Sequence, residues 1–303
     1  MPSLQHQFLT RLIPVIRGRS EVHDPQQVRR DVLAAQQRAE VRPPRRIAAR
    51  FDVRRVEPVD GSGLPCFEVR PPGQQPQRTV LYLHGGGFVS GLDRFHWRYA
   101  ARLAGNLGVR VVLPDYPLTP IHTWRDSLPA LRGLFERLAV ESPHGVVLMG
   151  DSAGGGLAVS LAQQVGRRSG PQPTHLVTFA PWVDLTGETP GTEEAARQDP
   201  WLTLSKLKLY GSWWGAGDPH APEGSPLFGE LGRLPPTMVF CGTRDLLVPQ
   251  SRALVARTQV AGVPVTYVEE PGLLHVYPLL PVPEARRAFS QVTAFVNGHG
   301  VST

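Results

Sequence analysis

The chain has 303 residues, 41% of them apolar, and a formal charge of +6. This length is sufficient for one large hydrophobic core, and 31 glycines with 31 prolines are too few for a low-complexity chain. No stretch approaches the roughly 18 uninterrupted apolar residues of a membrane span, and the apolar segment 8–16 is broken by charge and proline. We therefore expect neither a signal peptide nor stable membrane insertion.

The cysteines and the charged residues narrow the class of protein further. Cys66 and Cys241 are too few for a disulfide scaffold and indicate buried thiols in a cytoplasmic protein. The basic residues are almost all arginine, and their densest run, 42–50, lacks the interleaved aromatic residues of a nucleic-acid surface. We expect no nucleic-acid partner, whereas weak attraction to acidic lipid surfaces is left open.

Helical and strand patterns alternate along the chain. Residues 1–45 show apolar positions at helical spacing, which predicts a short helical leader. Strands are predicted near Phe51 and at 66–69, 80–83, 109–113, 146–149, 176–179, 237–241 and 263–268. Helix-like stretches separate the later strands, and this alternation predicts an α/β fold with a mostly parallel central sheet covered by helices on both faces.

Residues 186–226 interrupt that alternation. A polar stretch, 188–198, precedes an apolar and aromatic one. We interpret the segment as an insertion that packs with the leader 1–45 as a helical cap over the site, between two parts of the core, 46–185 and 227–303. Its aromatic residues either line an acyl pocket or pack the cap against the core. These residues are Trp201, Tyr210, Trp213 and Trp214.

A glycine-rich stretch, His84 to Phe88 (HGGGF), follows the strand predicted at 80–83. Its glycines leave backbone N–H groups uncovered by side chains, so that a substrate oxygen can reach them. Gly85 and Gly86 are the predicted oxyanion donors. A phosphate cradle is the alternative, but the spacing departs from G-x-G-x-x-G, and the only two lysines follow no glycine-rich loop.

A second stretch, 150–155 (GDSAGG), lies between a predicted strand and a predicted helix and fits G-x-S-x-G. Ser152 would occupy the tight turn between them, where small neighbours permit a strained backbone and an exposed hydroxyl. The N–H of Ala153, at the helix N-terminus, is the third predicted oxyanion donor. G-x-S-x-G alone is explained by a glycine-rich turn without chemistry, but both motifs together, each after a strand, predict a serine hydrolase.

A serine nucleophile requires a base, and in α/β-hydrolases the order along the chain is serine, acid, histidine. His275 follows the strand predicted at 263–268, where a loop would carry its side chain above the sheet edge. The other histidines after Ser152 fit structural or solvated positions. They are His175, His220 and His299.

The acid that orients the base is predicted to be Asp245. It is the only carboxylate in the loop after the strand at 237–241. Three alternatives stay open, namely Asp184, after the strand at 176–179, and Glu269 and Glu270, which are close to His275 in sequence.

These residues resemble the hormone-sensitive-lipase-like family of α/β-hydrolase esterases, whose marks are HGGG and GDSAGG. Residues 115–124 are similar to the family's D-Y-R-L-A-P-E-H segment, and residues 180–186 to its S-P-W-x-D-L-T segment. The resemblance covers about residues 45 to 295. Pro117 replaces the usual arginine, and Gly156 stands where many members have Asn, but no departure removes a catalytic group.

The motifs and the resemblance together imply a serine carboxylesterase that hydrolyses short- to medium-chain acyl esters through a covalent acyl-enzyme. We expect no organic cofactor and no metal, because no cluster has metal-ligand spacing. Phe88 and Trp182, beside the catalytic loops, are predicted to touch the small-molecule ester. The alternatives are an amidase or arylformamidase on the same triad and a non-catalytic small-molecule receptor of the same fold. A homodimer is left open.

Overall fold

A single eight-stranded sheet runs through the computed structural model, which describes residues 1–17, 19–58 and 64–298. Its strands are β1 (Asp52–Val56), β2 (Cys66–Arg70), β3 (Thr79–Leu83), β4 (Arg110–Pro114), β5 (Val146–Asp151), β6 (His175–Phe179), β7 (Thr237–Arg244) and β8 (Val265–Leu274). They lie in the order β1-β2-β4-β3-β5-β6-β7-β8. β2 pairs antiparallel with β1 and β4, and the other neighbours pair parallel. The predicted mostly parallel sheet is confirmed.

Helices precede, follow and connect these strands. The described helices are α1 (Leu4–Arg17), α2 (Pro25–Arg38), α3 (Arg45–Ala48), α4 (Arg94–Leu107), α5 (Trp124–Glu141), α6 (Ser152–Gly166), α7 (Thr192–Gln198), α8 (Leu204–Trp214), α9 (Val248–Val260) and α10 (Pro283–Val296). Within the described ranges, none of them is long and apolar enough to cross a bilayer. His299, one of the histidines weighed above, lies outside the described residues.

Two hydrophobic cores lie on the two faces of the sheet. Because side chains alternate along a strand, Val80 and Tyr82 of β3 pack into one core with α4 and α10. Leu81 and Leu83 of the same strand pack into the other core with α5, α6 and α9. The sheet is therefore covered by helices on both sides and presents the carboxyl ends of its parallel strands at one edge.

The last two strands are longer than their apolar runs predict. β8 was predicted to end at Val268, but its pairing with β7 continues through Glu270 and, after a register shift, to Leu274. Sequence patterning missed this part because β8 is the edge strand, where polar side chains can face water while the backbone ladder continues. His275 consequently follows directly on the end of a strand.

The N-terminal leader contacts both the core and the insertion. His6 of α1 accepts the N–H of Leu274 at 3.0 Å through its Nε2, so α1 is fixed against the end of β8. Beyond α1, the N–H of Val22 donates to the Ser205 hydroxyl at 3.0 Å. Helices α1 and α2 thus lie within the segment 1–45, and this segment bonds to helix α8 of the insertion.

Candidate active site

Ser152 directly follows β5 and is the first residue of α6, with φ at +52°, a conformation that is strained for a residue with a side chain. Its neighbours explain how the turn is held. A Cβ on Gly154 would lie 2.2 Å from the carbonyl oxygen of Leu83, and a Cβ on Gly150 would lie 2.3 Å from that of Gly154. Only glycine permits so close an approach of strand and helix, and the turn exposes the Ser152 hydroxyl to a cavity.

Three predicted residues meet in one hydrogen-bonded chain. His275 Nε2 lies 2.9 Å from Ser152 Oγ, and His275 Nδ1 lies 2.9 Å from Asp245 Oδ2. Asp245 is fully buried, and its other oxygen accepts the N–H of Leu247 at 2.9 Å. With the acid held by the backbone, the imidazole is oriented so that its far nitrogen can take the serine proton.

The electrostatics of His275 favour its charged form. Burial lowers the pKa of the imidazole, but the carboxylates of Asp245 and Asp199 outweigh burial, and the pKa lies above its ordinary value. An imidazolium formed when the serine loses its proton is stabilised by the same carboxylates.

The rival acids have other partners. The carboxylate of Asp184 accepts hydrogen bonds from Thr186 and Thr189, which fixes the backbone at the start of the insertion. Glu269 pairs with Arg252, and Glu270 pairs with Arg287.

The rival histidines lie away from Ser152. His175 packs its ring edge-on against Phe295 at 5.0 Å between centroids. His220 is exposed on the insertion, within 3.9 Å of the carboxylates of Glu188 and Asp218. Neither ring lines the cavity at Ser152.

One predicted oxyanion donor requires correction. The N–H of Gly85 donates to Asp151 Oδ1 at 3.0 Å, so it is not available to a substrate oxygen. Within the described part of the chain, no group accepts a hydrogen bond from the N–H of Gly86, Gly87 or Ala153. Gly86 and Gly87, whose φ angles are +118° and +63°, line the cavity together with Ser152. The sequence could not separate these glycines because it does not give the direction of each N–H.

Asp151 holds the glycine-rich loop from behind. Its Oδ1 also accepts the hydroxyl proton of Tyr82 at 2.8 Å and lies 3.3 Å from His96 Nε2. Burial raises the pKa of the Asp151 carboxyl, but His96 and these hydrogen bonds outweigh it and keep the pKa below its ordinary value. A buried carboxylate with several donors thus anchors Gly85 and fixes the position of the next two glycines.

Asp199 is a site residue that the sequence did not indicate. It is buried at the end of α7, and Oδ2 accepts the N–H of Leu246, next to Asp245, at 2.7 Å. Oδ1 accepts the N–H groups of Trp201 and Leu202 at 2.6 and 2.9 Å. Burial and the negative charge of Asp245 raise the pKa of Asp199 to about 6. In sequence it directly follows the polar stretch 188–198 of the insertion, and only the fold brings it to the acid loop.

A cavity of about 360 Å³ opens at Ser152. Its wall combines the glycine-rich loop, the segment after His275 and one side of the insertion. The residues contributed by the insertion are Trp201, Leu202, Thr203, Lys206, Leu207 and Tyr210. None of the described residues of the leader lines the cavity, so the leader contacts this wall from outside.

The two predicted substrate contacts occupy different places. Trp182 lines the cavity. Phe88 does not: its ring is buried and stacks on Trp214 at 4.0 Å between centroids, with the planes 3° apart. Phe88 follows Gly87 with φ at +62°, which turns its side chain toward the helices of the insertion. Its predicted role as a substrate contact is therefore corrected to packing α8 against the glycine-rich loop.

A sequence model of the alpha/beta hydrolase fold family matches residues 80–279. The chain belongs to this family. It is 34% identical to an acetyl-hydrolase of Streptomyces hygroscopicus, over 74% of this chain and 77% of that protein. An ethyl acetate hydrolase of Pseudomonas putida is 31% identical, with 71% and 72% covered.

Solved structures agree with the family assignment. A crystal structure of an esterase from the bacterial hormone-sensitive lipase family superposes with a TM-score of 0.82 at 26% identity, over 99% of each chain. These similarities place the protein among the hormone-sensitive-lipase-like α/β-hydrolases. It is a carboxylic ester hydrolase. The predicted resemblance is confirmed. Within the described ranges, no group of three or more His, Cys, Asp and Glu side chains could hold a metal ion.

Proposed function

We propose that the protein is a serine carboxylesterase in which Ser152 attacks the ester carbonyl and His275 takes its proton. The hydrogen-bonded chain from Ser152 Oγ through His275 to Asp245 is the observation that carries this proposal. The base then returns the proton to the leaving alcohol, and an acyl-enzyme remains on Ser152. Water repeats the sequence and releases the acid.

The N–H groups of Gly86, Gly87 and Ala153 are the proposed oxyanion hole. Three observations support this choice: none of these N–H groups donates to a described protein group, the two glycines line the cavity, and Ala153 lies in the first turn of α6. Donors that are fixed before the reaction stabilise the developing oxyanion without reorganisation.

The cavity also bounds the acyl group. We propose that short- to medium-chain esters are the substrates, because about 360 Å³ closed by Trp201 and Tyr210 on the insertion side leaves little room for a long chain. A cap made of residues 1–45 and 186–226 remains a proposal. It is supported by the contacts of the leader with α8 and by the six cavity residues that the insertion contributes.

A series of aryl esters with two to sixteen acyl carbons tests the substrate range. We expect kcat/KM to peak among the shorter esters and to fall for the longer ones. Trp201→Ala should extend the range of acyl chains that are hydrolysed, because Trp201 lines the cavity. Trp213→Ala is the control and should leave the chain-length profile unchanged, because Trp213 belongs to the same insertion but does not line the cavity. Equal rates across the series would contradict a bounded pocket. That result would reject the bounded pocket but not the nucleophile, provided that Ser152→Ala hydrolyses none of the esters.

A further inference from the structure

The first helix of the chain exposes an unusual share of apolar surface. Nine large apolar side chains are exposed among the described residues, and five of them belong to the first sixteen positions. In α1 these include Leu4, Phe8 and Val15, which are 82%, 67% and 79% exposed. Moving such side chains out of water lowers the free energy, so a concentration of them on one helix indicates a binding surface.

Helix geometry places these three side chains in one ridge. At about 100° per residue, Leu4, Phe8 and Val15 fall within an arc of about 40°. The side chains that α1 buries, His6 and Ile13 among them, lie on the opposite side of the helix. The ridge therefore points away from the fold, and its apolar surface is not used in holding α1 against the end of β8.

Beside the ridge runs a basic groove. Gln5 of α1 lines it together with Arg98 and Arg102 of α4 and Arg286 of α10, and its volume is about 500 Å³. In the described part of the chain, none of these three arginines forms an ion pair with a carboxylate. Burial and the positive charges of Arg286 and Arg98 lower the pKa of Arg102. The nearby carboxylate of Glu284 is already bound by Ser3.

An apolar helical ridge bordered by cations matches a lipid surface with negative charge. A helix of this kind lies in the plane of the interface, with its apolar side chains among the acyl chains and its basic neighbours at the phosphates. A second copy of the chain fits less well, because an isologous contact would bring two arginine grooves of the same sign together.

We propose that α1 and the Arg98–Arg102–Arg286 groove form a docking face for membranes that contain anionic phospholipid. Leu4, Phe8 and Val15 pass the headgroups and reach the acyl chains, and the arginines contact lipid phosphates. The face adjoins the catalytic cavity, since Leu280 lines both the groove and the cavity. Docking is peripheral and reversible, because one short amphipathic helix lies on a bilayer without crossing it.

Vesicle sedimentation tests the proposal on the full-length protein. We expect binding to vesicles of equal parts phosphatidylcholine and phosphatidylglycerol to exceed binding to phosphatidylcholine alone by about tenfold or more at low salt. Higher ionic strength should weaken it. Leu4→Ser/Phe8→Ser and Arg98→Gln/Arg286→Gln should each reduce the partition coefficient by about tenfold or more. All four side chains are exposed, so the variants should keep the melting temperature of the wild type.

Matched variants elsewhere on the surface serve as controls. Val140→Ser/Val260→Ser removes two apolar side chains that are 84% and 91% exposed, and Arg50→Gln/Arg257→Gln removes two exposed arginines. Both pairs should bind vesicles as the wild type does. Equal binding to neutral and anionic vesicles, no binding, or equal losses in the control pairs would overturn the proposal.

Sedimentation velocity without lipid tests whether a second copy of the chain, rather than a lipid surface, binds the ridge. A concentration-dependent dimer that Leu4→Ser/Phe8→Ser abolishes, with no vesicle binding, would assign the ridge to a second copy of the chain and reject the lipid surface. Because binding is measured without turnover, its outcome is independent of the proposed ester hydrolysis.

Discussion

The carboxylate of Asp199 accepts the backbone N–H of Leu246 at 2.7 Å and so ties the insertion to the loop of the proposed catalytic acid. Its other oxygen holds the N–H groups of Trp201 and Leu202, which line the cavity. The ring of Trp201 meets His275 edge-on at 5.6 Å between centroids. One buried side chain thus connects the cavity wall to the acid and the base.

Asp199→Asn should shift the acid limb of the kcat/KM profile to lower pH. The base acts when His275 is neutral, and the negative charge of Asp199 raises the pKa of His275. Removing that charge lowers this pKa, so the base stays neutral in more acidic solution. Asp218→Asn, an exposed position of the same insertion, is the control and should leave the limb in place. An unchanged or opposite shift in folded Asp199→Asn would contradict this electrostatic role.

Tyr82→Phe should make the loop that carries the proposed oxyanion donors less firmly anchored. It removes the hydroxyl that donates to the buried Asp151 carboxylate at 2.8 Å, which we expect to cost about 1–3 kcal/mol of unfolding free energy and to lower kcat more than it changes KM. Tyr99→Phe is the matched control, because the Tyr99 hydroxyl is buried and has no hydrogen-bond partner among the described residues. Chemical denaturation and steady-state kinetics of both variants measure the difference, and equal effects would reject the anchoring role of Asp151.

Gly156→Ala should destabilise the protein although alanine is the better helix former. A Cβ at Gly156 would lie 1.8 Å from the carbonyl oxygen of Trp182, so α6 or the Trp182 segment must move. We expect a loss of roughly 1–3 kcal/mol. Gly133→Ala in α5, where a Cβ would meet no atom within 4 Å, should instead stabilise by roughly 0.5–1 kcal/mol. The same sign for both changes in urea denaturation would show that the close approach at Trp182 is not restrictive.

Gly156 also explains a departure noted in the sequence. The family resemblance leads to an expectation of Asn at this place, whereas the backbone of this chain leaves no room for any side chain beside Trp182.

Asp245→Asn should lower kcat by about three orders of magnitude or more, since an amide neither fixes the imidazole tautomer nor stabilises its positive charge. Asp184→Asn should act mainly on stability, because that carboxylate holds Thr186 and Thr189 and does not contact His275. We expect its kcat to stay within about tenfold of the wild type. Kinetics of the two purified, folded variants rank the two acids, and the reverse order would move the catalytic acid to the loop after β6.

Much of this architecture is encoded in local sequence. Runs of apolar residues predicted the strands, because buried parallel strands need apolar side chains on both faces. The positions of Ser152, Asp245 and His275 followed from loops after three such strands, and parallel strands bring those loops to one edge of the sheet.

Other features depend on contacts between distant segments. Nothing in the local sequence distinguishes Asp199 from other polar residues, because its role depends on the contact with Leu246 that forms when the insertion folds. Whether Gly85 or Gly87 offers a free N–H depends on which of them faces Asp151. The strand β8 continues through Glu269 and Glu270 because the ladder with β7 outweighs their weak intrinsic strand preference.

Reaction with a fluorophosphonate, followed by peptide mass spectrometry and ester turnover, tests the central proposal most directly. We expect the wild type to gain one adduct, on Ser152, and to lose its activity as the adduct forms. Ser152→Ala should gain no adduct, keep the melting temperature of the wild type and lose at least about three orders of magnitude in kcat. An adduct on another serine, or turnover by Ser152→Ala within about tenfold of the wild type, would contradict the assignment of Ser152 as the nucleophile.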